Sequence, residues 1–288
     1  MRESDAIVDS DIAETEWTRA MYAELNATSE FKEAFRRQRH VLLALMLRNI
    51  RTRFFGHGFG YLIAIAWPLL HSVIIIILFS LNGRMAPVGE STMLFVATGA
   101  VPFQVQAYLS TFMMTSVLQS RPLFAFPEVK VLDALIASIV LEILSSCTVV
   151  LLILLIGWAS GENMMPRDIE QAACAYGAAI LLGVGVGFFN GTMALAVPIW
   201  AMIFSLFRIL LWAASGTVFL PDNLPEPYRT MQSYNPIAQS IEWMRFAYYD
   251  GVGAGFLDRA YVLEFGVTTI FVSLLLERMT RGHLLALR

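Results

Sequence analysis

The sequence predicts an all-α integral membrane protein with six transmembrane helices. An N-terminal amphipathic helix at the membrane interface, a short cytoplasmic helix and outer re-entrant helices between spans 5 and 6 complete the predicted fold. Three observations predict this class. Of 288 residues 57% are hydrophobic and 15% charged, with a mean hydropathy of +0.62, whereas about 25% of the residues of a soluble domain are charged. Several apolar stretches reach the roughly 20 residues that a span needs, and a basic amphipathic stretch precedes them.

The composition excludes several kinds of site in this chain. A net charge of −3 and a pI near 5.8 speak against nucleic-acid binding, which usually requires a basic protein. Neither of the two lysines, Lys32 and Lys130, stands in the Gly-Lys-Ser/Thr order of a Walker A loop. Cys147 and Cys174 both lie in apolar stretches and indicate neither a disulfide nor a metal site. We therefore expect no catalytic residue, metal or cofactor of the chain's own.

Residues 1–30 predict an acidic cytoplasmic tail. They hold eight acidic residues against Arg2 and Arg19, and they lack the apolar run of a signal peptide. Asp9 and Asp11 spell the Asp-x-Asp that sugar-nucleotide transferases use to hold a metal. In an acidic segment we interpret this triplet as solvated charge.

Residues 31–56 predict the interface helix. Residues 31–53 carry seven basic residues against the single acid Glu33, and apolar residues recur at helical spacing. This pattern indicates a helix that lies on an anionic cytoplasmic leaflet.

Residues 57–288 predict the six-span domain. Residues 172–220 would form a helix of about 73 Å, more than twice the hydrocarbon thickness, so we expect the chain to reverse at Pro198. Lysine and arginine favour the segments that would be cytoplasmic, which puts both termini inside. The absence of a sequence repeat counts against inverted-repeat carriers. The predicted spans are Tyr61–Leu81, Met93–Leu118, Ala134–Trp158, Ala172–Val197, Pro198–Leu220 and Tyr261–Leu276.

Two segments between spans are too structured for simple loops. Arg121–Asp133 mixes aromatic, aliphatic and charged residues on the cytoplasmic side, so it either rests on lipid or docks on a soluble partner. Pro221–Arg259 lies outside and contains the helix-like Pro236–Asp250, which is too short and polar to span. Backbone of this kind at membrane depth must be buried in protein or line water, which predicts re-entrant helices.

Three stretches resemble the membrane subunit of ABC-2-type exporters, and in particular the capsular polysaccharide permeases. The resemblance extends over about residues 40–288. The stretches are Arg51-Thr-Arg-Phe54 with Gly60-Tyr-Leu and Trp67-Pro68; Phe126-Pro-Glu-Val-Lys-Val-Leu-Asp133 running on to Leu141-Glu142; and Phe219-Leu-Pro221 with Asn235-Pro236 and Glu242 to Arg245.

The resemblance implies a permease without enzymatic activity in a bacterial inner membrane. It implies a homodimer with two copies of a separate ABC ATPase, which binds the ATP and Mg. The channel between two permease chains would export capsular or related polysaccharide, lipid-linked or nascent. O-antigen, teichoic acid or a small molecule is the nearest alternative. The polymer, its lipid terminus, the ATPase and any periplasmic export partner are left open.

The resemblance also implies where the ATPase binds. The family's interface helix corresponds to residues 31–53 and its coupling helix to residues 121–133, and together they would form the docking surface. An aromatic anchor with charges at its rim suits such a surface. The predicted ATPase contacts are Phe124, Phe126, Glu128, Lys130, Arg36 and Arg37.

Charged and aromatic residues inside the spans predict a conduit. Glu142 and Arg208 lie about 12 and 15 Å along their spans, and because buried charges need partners we expect them to pair, for packing or for gating. Aromatic rings would bind sugars weakly and repeatedly, although many aromatics form interfacial belts. The predicted conduit or gating residues are Tyr61, Trp67, Glu142, Trp200, Phe204, Arg208 and Trp212. Gly183, Gly187 and Gly191, with Gly185 between them, predict close helix packing.

Two functions from other classes stay open at this point. An ion-coupled carrier would use Glu142, Arg208 and His71 as a relay, although a lone histidine is more often an interior group with its hydrogen bonds satisfied. A membrane-embedded glycosyltransferase would need paired carboxylates, which only Asp9 and Asp11 offer. Loss of transport when the proton gradient collapses while ATP is maintained would favour the carrier.

Overall fold

A computed structural model describes residues 30, 32–52, 60–81, 86–126, 128–253 and 255–286, without the side chains of 60, 61, 80 and 280–286. The predicted acidic tail, with Asp9 and Asp11, lies outside these residues except for Glu30. The chain divides into two units, residues 1–44 and residues 45–288. In the first unit, residues 32–40 are helical and exposed.

All regular structure in the described residues is helical, which confirms the predicted fold class. Two short 3-10 helices, Arg121–Ala125 and Pro221–Asn223, lie between the α-helices. The α-helices are α1 (residues 32–52), α2 (Gly60–Leu81), α3 (Thr92–Ser120), α4 (Val131–Ala159), α5 (Ile169–Ala196), α6 (Trp200–Ala213), α7 (Tyr228–Ser233), α8 (Pro236–Tyr248) and α9 (Arg259–Ala286).

Polar residues fix where several helices begin. The side chains of Ser91, Asp168 and Asn235 accept hydrogen bonds from the first backbone N–H groups of α3, α5 and α8. These N–H groups have no partner within the helix, so a capping oxygen stabilises each helix start. In α4 the carboxylate of Asp133 accepts a hydrogen bond from the backbone N–H of Lys130, at 2.8 Å.

Four of the described helices are long and apolar enough to cross a membrane: α2, α4, α5 and α9. The 29 residues of α3 reach about 43 Å, but that helix is less apolar and largely buried. With 14 residues, α6 reaches only about 21 Å. The structure thus confirms an all-helical fold with four candidate membrane spans but not the count of six, and Pro198–Leu220 is not one continuous helix.

The predicted reversal after α5 is confirmed: α5 ends at Ala196 and α6 begins at Trp200, and Phe204 of α6 packs back on Val186 and Ala194 of α5. After α6 the chain leaves helical geometry within Ala214–Leu220, where Gly216 has a φ of +77°. The predicted cytoplasmic helix is also shorter than expected. It is a single 3-10 helix of five residues, Arg121–Ala125, and Lys130 then precedes α4 in extended conformation.

The α5 glycines let neighbouring helices approach closely, as predicted. A Cβ atom at Gly183 or Gly187 would lie 3.0 or 2.4 Å from side-chain atoms of α3, and one at Gly191 would lie 3.1 Å from Leu135 of α4. On another face of α5, a Cβ at Gly185 would lie 3.1 Å from the backbone of α9. These glycines place α5 against α3, α4 and α9 with almost no space between them.

Candidate functional site

An open cavity of about 410 Å³ lies between α2, α3 and α6. Its wall combines aromatic rings with a few polar groups, which is typical of ligand-binding cavities. The aromatic and polar residues of the wall are Trp67, His71, Phe103, Gln104, Tyr108, Arg208 and Trp212.

Hydrogen bonds orient the polar groups of this cavity. The Arg208 guanidinium donates through Nη1 to Thr111 Oγ1, at 3.2 Å. Because a guanidinium carries five N–H donors, Arg208 retains capacity for a ligand. The Tyr108 hydroxyl lies 3.5 Å from His71 Nδ1. The cavity therefore offers a fixed cation and a phenol–imidazole pair among aromatic rings.

Two smaller cavities, of about 20 and 60 Å³, lie nearby and share wall residues in series. Gln104 and Tyr108 line both the first and the second cavity, and Glu142 lines both the second and the third. Arg208 thus lines the first cavity and Glu142 the second, and Tyr108 lies between them as a wall residue of both cavities. Their pairing stays a prediction.

The structure brings together only part of the predicted conduit. Trp67, Arg208 and Trp212 line the first cavity. Trp200 instead turns towards α5, where its indole Nε1 donates to Asn190 Oδ1 at 3.0 Å. Phe204 is buried in a cluster with α3 and α5 residues, so these two aromatics hold α6 in place. The side chain of Tyr61 lies outside the described part of the chain.

The segment after α3 separates its two phenylalanines. Phe124 is half-buried and packs on the hydrophobic cluster formed by α3, α4 and α5. Phe126 is 60% exposed, and Glu128 and Lys130 beside it are exposed as well. Of the predicted ATPase contacts in this segment, Phe126, Glu128 and Lys130 are therefore accessible. Phe124 instead attaches the segment to the helices beneath it.

Sequence reasoning missed the contacts that join α1 to the end of α3, directly before this segment. Arg48 donates through Nη2 to Ser120 Oγ at 2.6 Å, and Asn49 donates through Nδ2 to Ser116 Oγ at 3.0 Å. Ser120 immediately precedes the 3-10 helix. The signal was Asn49, a polar residue on the side of α1 that buries Leu45. The predicted contacts Arg36 and Arg37 are exposed in the first unit.

A buried ion pair holds the segment between α6 and α8. Glu242 and Arg245, both 0% exposed, form a salt bridge of 2.8 Å. Arg245 also donates to the backbone oxygens of Phe219 and Thr217, each at 2.9 Å. Burial raises the pKa of the Glu242 carboxyl, and the Arg245 charge opposes that rise. The pair fixes the irregular backbone after α6 to α8.

Comparison with known proteins gives a consistent set of relatives, while no family model matches the chain. The chain is 29% identical over 248 residues to the polysialic acid transport protein KpsM of Escherichia coli, covering 86% of this chain and 96% of KpsM. It is 23% identical over 264 residues to the capsule polysaccharide export inner-membrane protein CtrC of Neisseria meningitidis serogroup A, covering 90% and 98%. It is 23% identical over 223 residues to the capsule polysaccharide export inner-membrane protein BexB of Haemophilus influenzae, covering 76% and 83%. These homologues confirm the resemblance stated above.

Proposed function

We propose that this chain is the membrane-spanning permease subunit of an ABC exporter that moves capsular, or related cell-surface, polysaccharide across the bacterial inner membrane. The observation that carries the proposal is similarity over most of the chain to three differently named transport proteins, all of which act on a polysaccharide. Four apolar helices long enough to span a membrane support the location.

A separate ATPase would drive the transport. The sequence has no Walker A loop, so ATP and Mg would be bound by the partner, with two ATPase copies serving a permease homodimer. The accessible Phe126, with Glu128 and Lys130 beside it, supplies an apolar anchor and two charges for docking. A hydrogen bond links Asp133 to Lys130, so movement of this segment would be passed to α4.

The cavity between α2, α3 and α6 would form part of the polysaccharide conduit. Trp67 and Trp212 offer ring faces to sugar C–H groups, and Arg208 offers N–H donors to hydroxyl or carboxylate oxygens. The ring contacts are individually weak and allow a polymer to slide, while the Arg208 hydrogen bond is the stronger, orienting contact. Apolar side chains are exposed on both helices that flank the cavity, for example Leu70 on α2 and Leu206 on α6. A second permease chain would cover these surfaces and close the conduit.

Deletion of the gene in its host, followed by complementation, tests the proposal. We expect polysaccharide to disappear from the cell surface and to accumulate inside the cell, and the wild-type gene to restore export. If the polymer is no longer made at all, the chain acts in synthesis, as a glycosyltransferase would. If export stops when the proton gradient is collapsed while ATP is maintained, the chain is an ion-coupled carrier and the proposal is wrong.

A further inference from the structure

Two cavities of opposite character meet near the start of α5. One, of about 240 Å³, lies between α3, α4, α5 and α8, and its wall is almost entirely apolar. The other, of about 510 Å³, is polar and is lined by Arg167, Asp168 and Asp250 together with residues from the end of α8. Ile169 lines both, so the two cavities adjoin at this residue.

Their positions along α5 match the structure of a bilayer. Arg167 and Asp168 directly precede Ile169–Ala196, a helix long and apolar enough to span a membrane, and charged residues that flank such a helix belong on the aqueous side of the hydrocarbon. Ile169, Ala173 and Tyr176 lie on one face of α5 and line the apolar cavity, which therefore extends about 10 Å from the start of the helix. On this placement the polar cavity lies at headgroup level and the apolar cavity at acyl-chain level.

The polar cavity carries both signs of charge. Arg167 and Asp250 form an ion pair and remain 56% and 84% exposed. Both can therefore reach a ligand. The carboxylate of Asp168 accepts a hydrogen bond from the backbone N–H of Gln171 and caps α5. Because this ion pair is exposed, its two charges can exchange each other for the anion and the cation of one zwitterionic molecule.

We propose that these two cavities bind one glycerophospholipid with a zwitterionic phosphoethanolamine headgroup. Its phosphate binds the Arg167 guanidinium, since arginine binds phosphate through paired hydrogen bonds, and its ammonium binds the Asp250 carboxylate. One acyl chain occupies the apolar cavity. Apolar cavities of only about 150 Å³ stay dry and take up apolar ligands, so an acyl chain stabilises this larger one more than water does. The site is independent of which polymer the protein exports.

Lipid retention by the full chain, purified in mild detergent, tests the proposal. Native mass spectrometry counts phosphatidylethanolamine and phosphatidylglycerol molecules bound after exchange with each lipid. Ala173 is exposed and lines the apolar cavity, so Ala173→Trp fills the cavity with little effect on the fold. Cys174 is exposed on the same helix and does not line that cavity, which makes Cys174→Trp the matched control.

We expect wild type and Cys174→Trp each to retain one phosphatidylethanolamine per chain. Ala173→Trp should retain none at this site. We expect Arg167→Gln to weaken binding of both lipids about tenfold, the effect of losing one charge-assisted hydrogen bond. Asp250→Asn should weaken phosphatidylethanolamine alone. In wild-type membranes, a phosphatidylethanolamine with a photoreactive acyl chain should label residues 169–176 or 244–248.

Equal retention by Ala173→Trp and wild type would overturn the proposal, as would photolabelling confined to other segments. A preference for phosphatidylglycerol over phosphatidylethanolamine would overturn the assignment of a zwitterionic headgroup. Recovery of the lipid terminus of an exported polymer in place of phosphatidylethanolamine would show that the site belongs to the transported substrate, and this too would overturn the proposal.

Discussion

Substitution of Gly99 tests the packing of α3 against the segment that follows α6. A Cβ atom at Gly99 would lie 2.4 Å from the backbone oxygen of Thr217 and 3.0 Å from Arg245 Nη2. Those two atoms are hydrogen-bonded to each other at 2.9 Å. The carbonyl belongs to the backbone and the guanidinium is fully buried, so neither can move aside easily.

The expected cost of Gly99→Ala follows from these contacts. Overpacking of a core costs about 1–3 kcal/mol, and loss of a hydrogen bond to a charged group costs about 1.5–3 kcal/mol. The better helix propensity of alanine returns up to about 1 kcal/mol. The net loss of stability is then about 2–5 kcal/mol. At roughly 2–4 °C per kcal/mol for a chain of this size, the apparent melting temperature should fall by about 4–20 °C.

Fluorescence-detected size-exclusion chromatography after heating measures this change. Wild type, Gly99→Ala and a control variant are heated at one fixed rate. Unfolding of large proteins is often irreversible, so the apparent melting temperature depends on the heating rate. Gly177→Ala is the matched control, since nothing lies within 4 Å of a Cβ at that helical glycine, and it should melt at or slightly above the wild-type temperature. If Gly99→Ala melts within about 2 °C of Gly177→Ala, the reasoning about this contact is refuted.

Three further predictions follow from the fold and the cavity. Arg245→Met leaves Glu242 buried without its partner, which should lower the stability of the fold by about 3–5 kcal/mol. The double variant Arg245→Met/Glu242→Leu should recover part of the lost melting temperature. If it recovers none, the broken ion pair is not the cause of the loss. Gly187→Leu should separate α5 from Met113 of α3 and lower the yield of monodisperse protein severalfold, whereas an unchanged elution profile would show that the helices tolerate the added side chain. Arg208→Gln should reduce export about tenfold, the effect of one charge-assisted hydrogen bond. The melting temperature should fall only slightly, through loss of the bond to Thr111, and ATPase binding should not change. Full export would remove Arg208 from the proposed conduit.

The sequence predicted the reversal between α5 and α6 but not the length of α6. An apolar run of 49 residues is too long to cross a bilayer as a single helix, so the sequence predicts a reversal, and Pro198 marks its place. Nothing in the run itself shows that helix ends at Ala213. The backbone oxygens of Thr217 and Phe219 accept hydrogen bonds from Arg245, and a partner so far along the chain leaves no trace in local periodicity.

The candidate site shows the same limit. Trp200, Phe204, Arg208 and Trp212 recur every four residues, and each step of four rotates about 40° around a helix. The first two therefore face α5 and α3, and the last two face the cavity. The spacing predicts this rotation between successive residues. Only the packed structure shows that Trp200 and Phe204, rather than Arg208 and Trp212, pack on α5.

Co-purification with the ATPase tests the central claim most directly. The permease is co-expressed with a candidate ABC ATPase of the same organism and isolated in mild detergent, and the ATPase recovered per permease is measured. Phe126→Ala removes the exposed aromatic of the segment before α4. Trp158→Ala is the matched control, because Trp158 is 78% exposed at the opposite end of α4. We expect wild type and Trp158→Ala to retain the ATPase and Phe126→Ala to lose it about tenfold, as expected for an interface anchor. Absence of any ATPase from the wild-type preparation, or equal recovery with Phe126→Ala, would contradict this account.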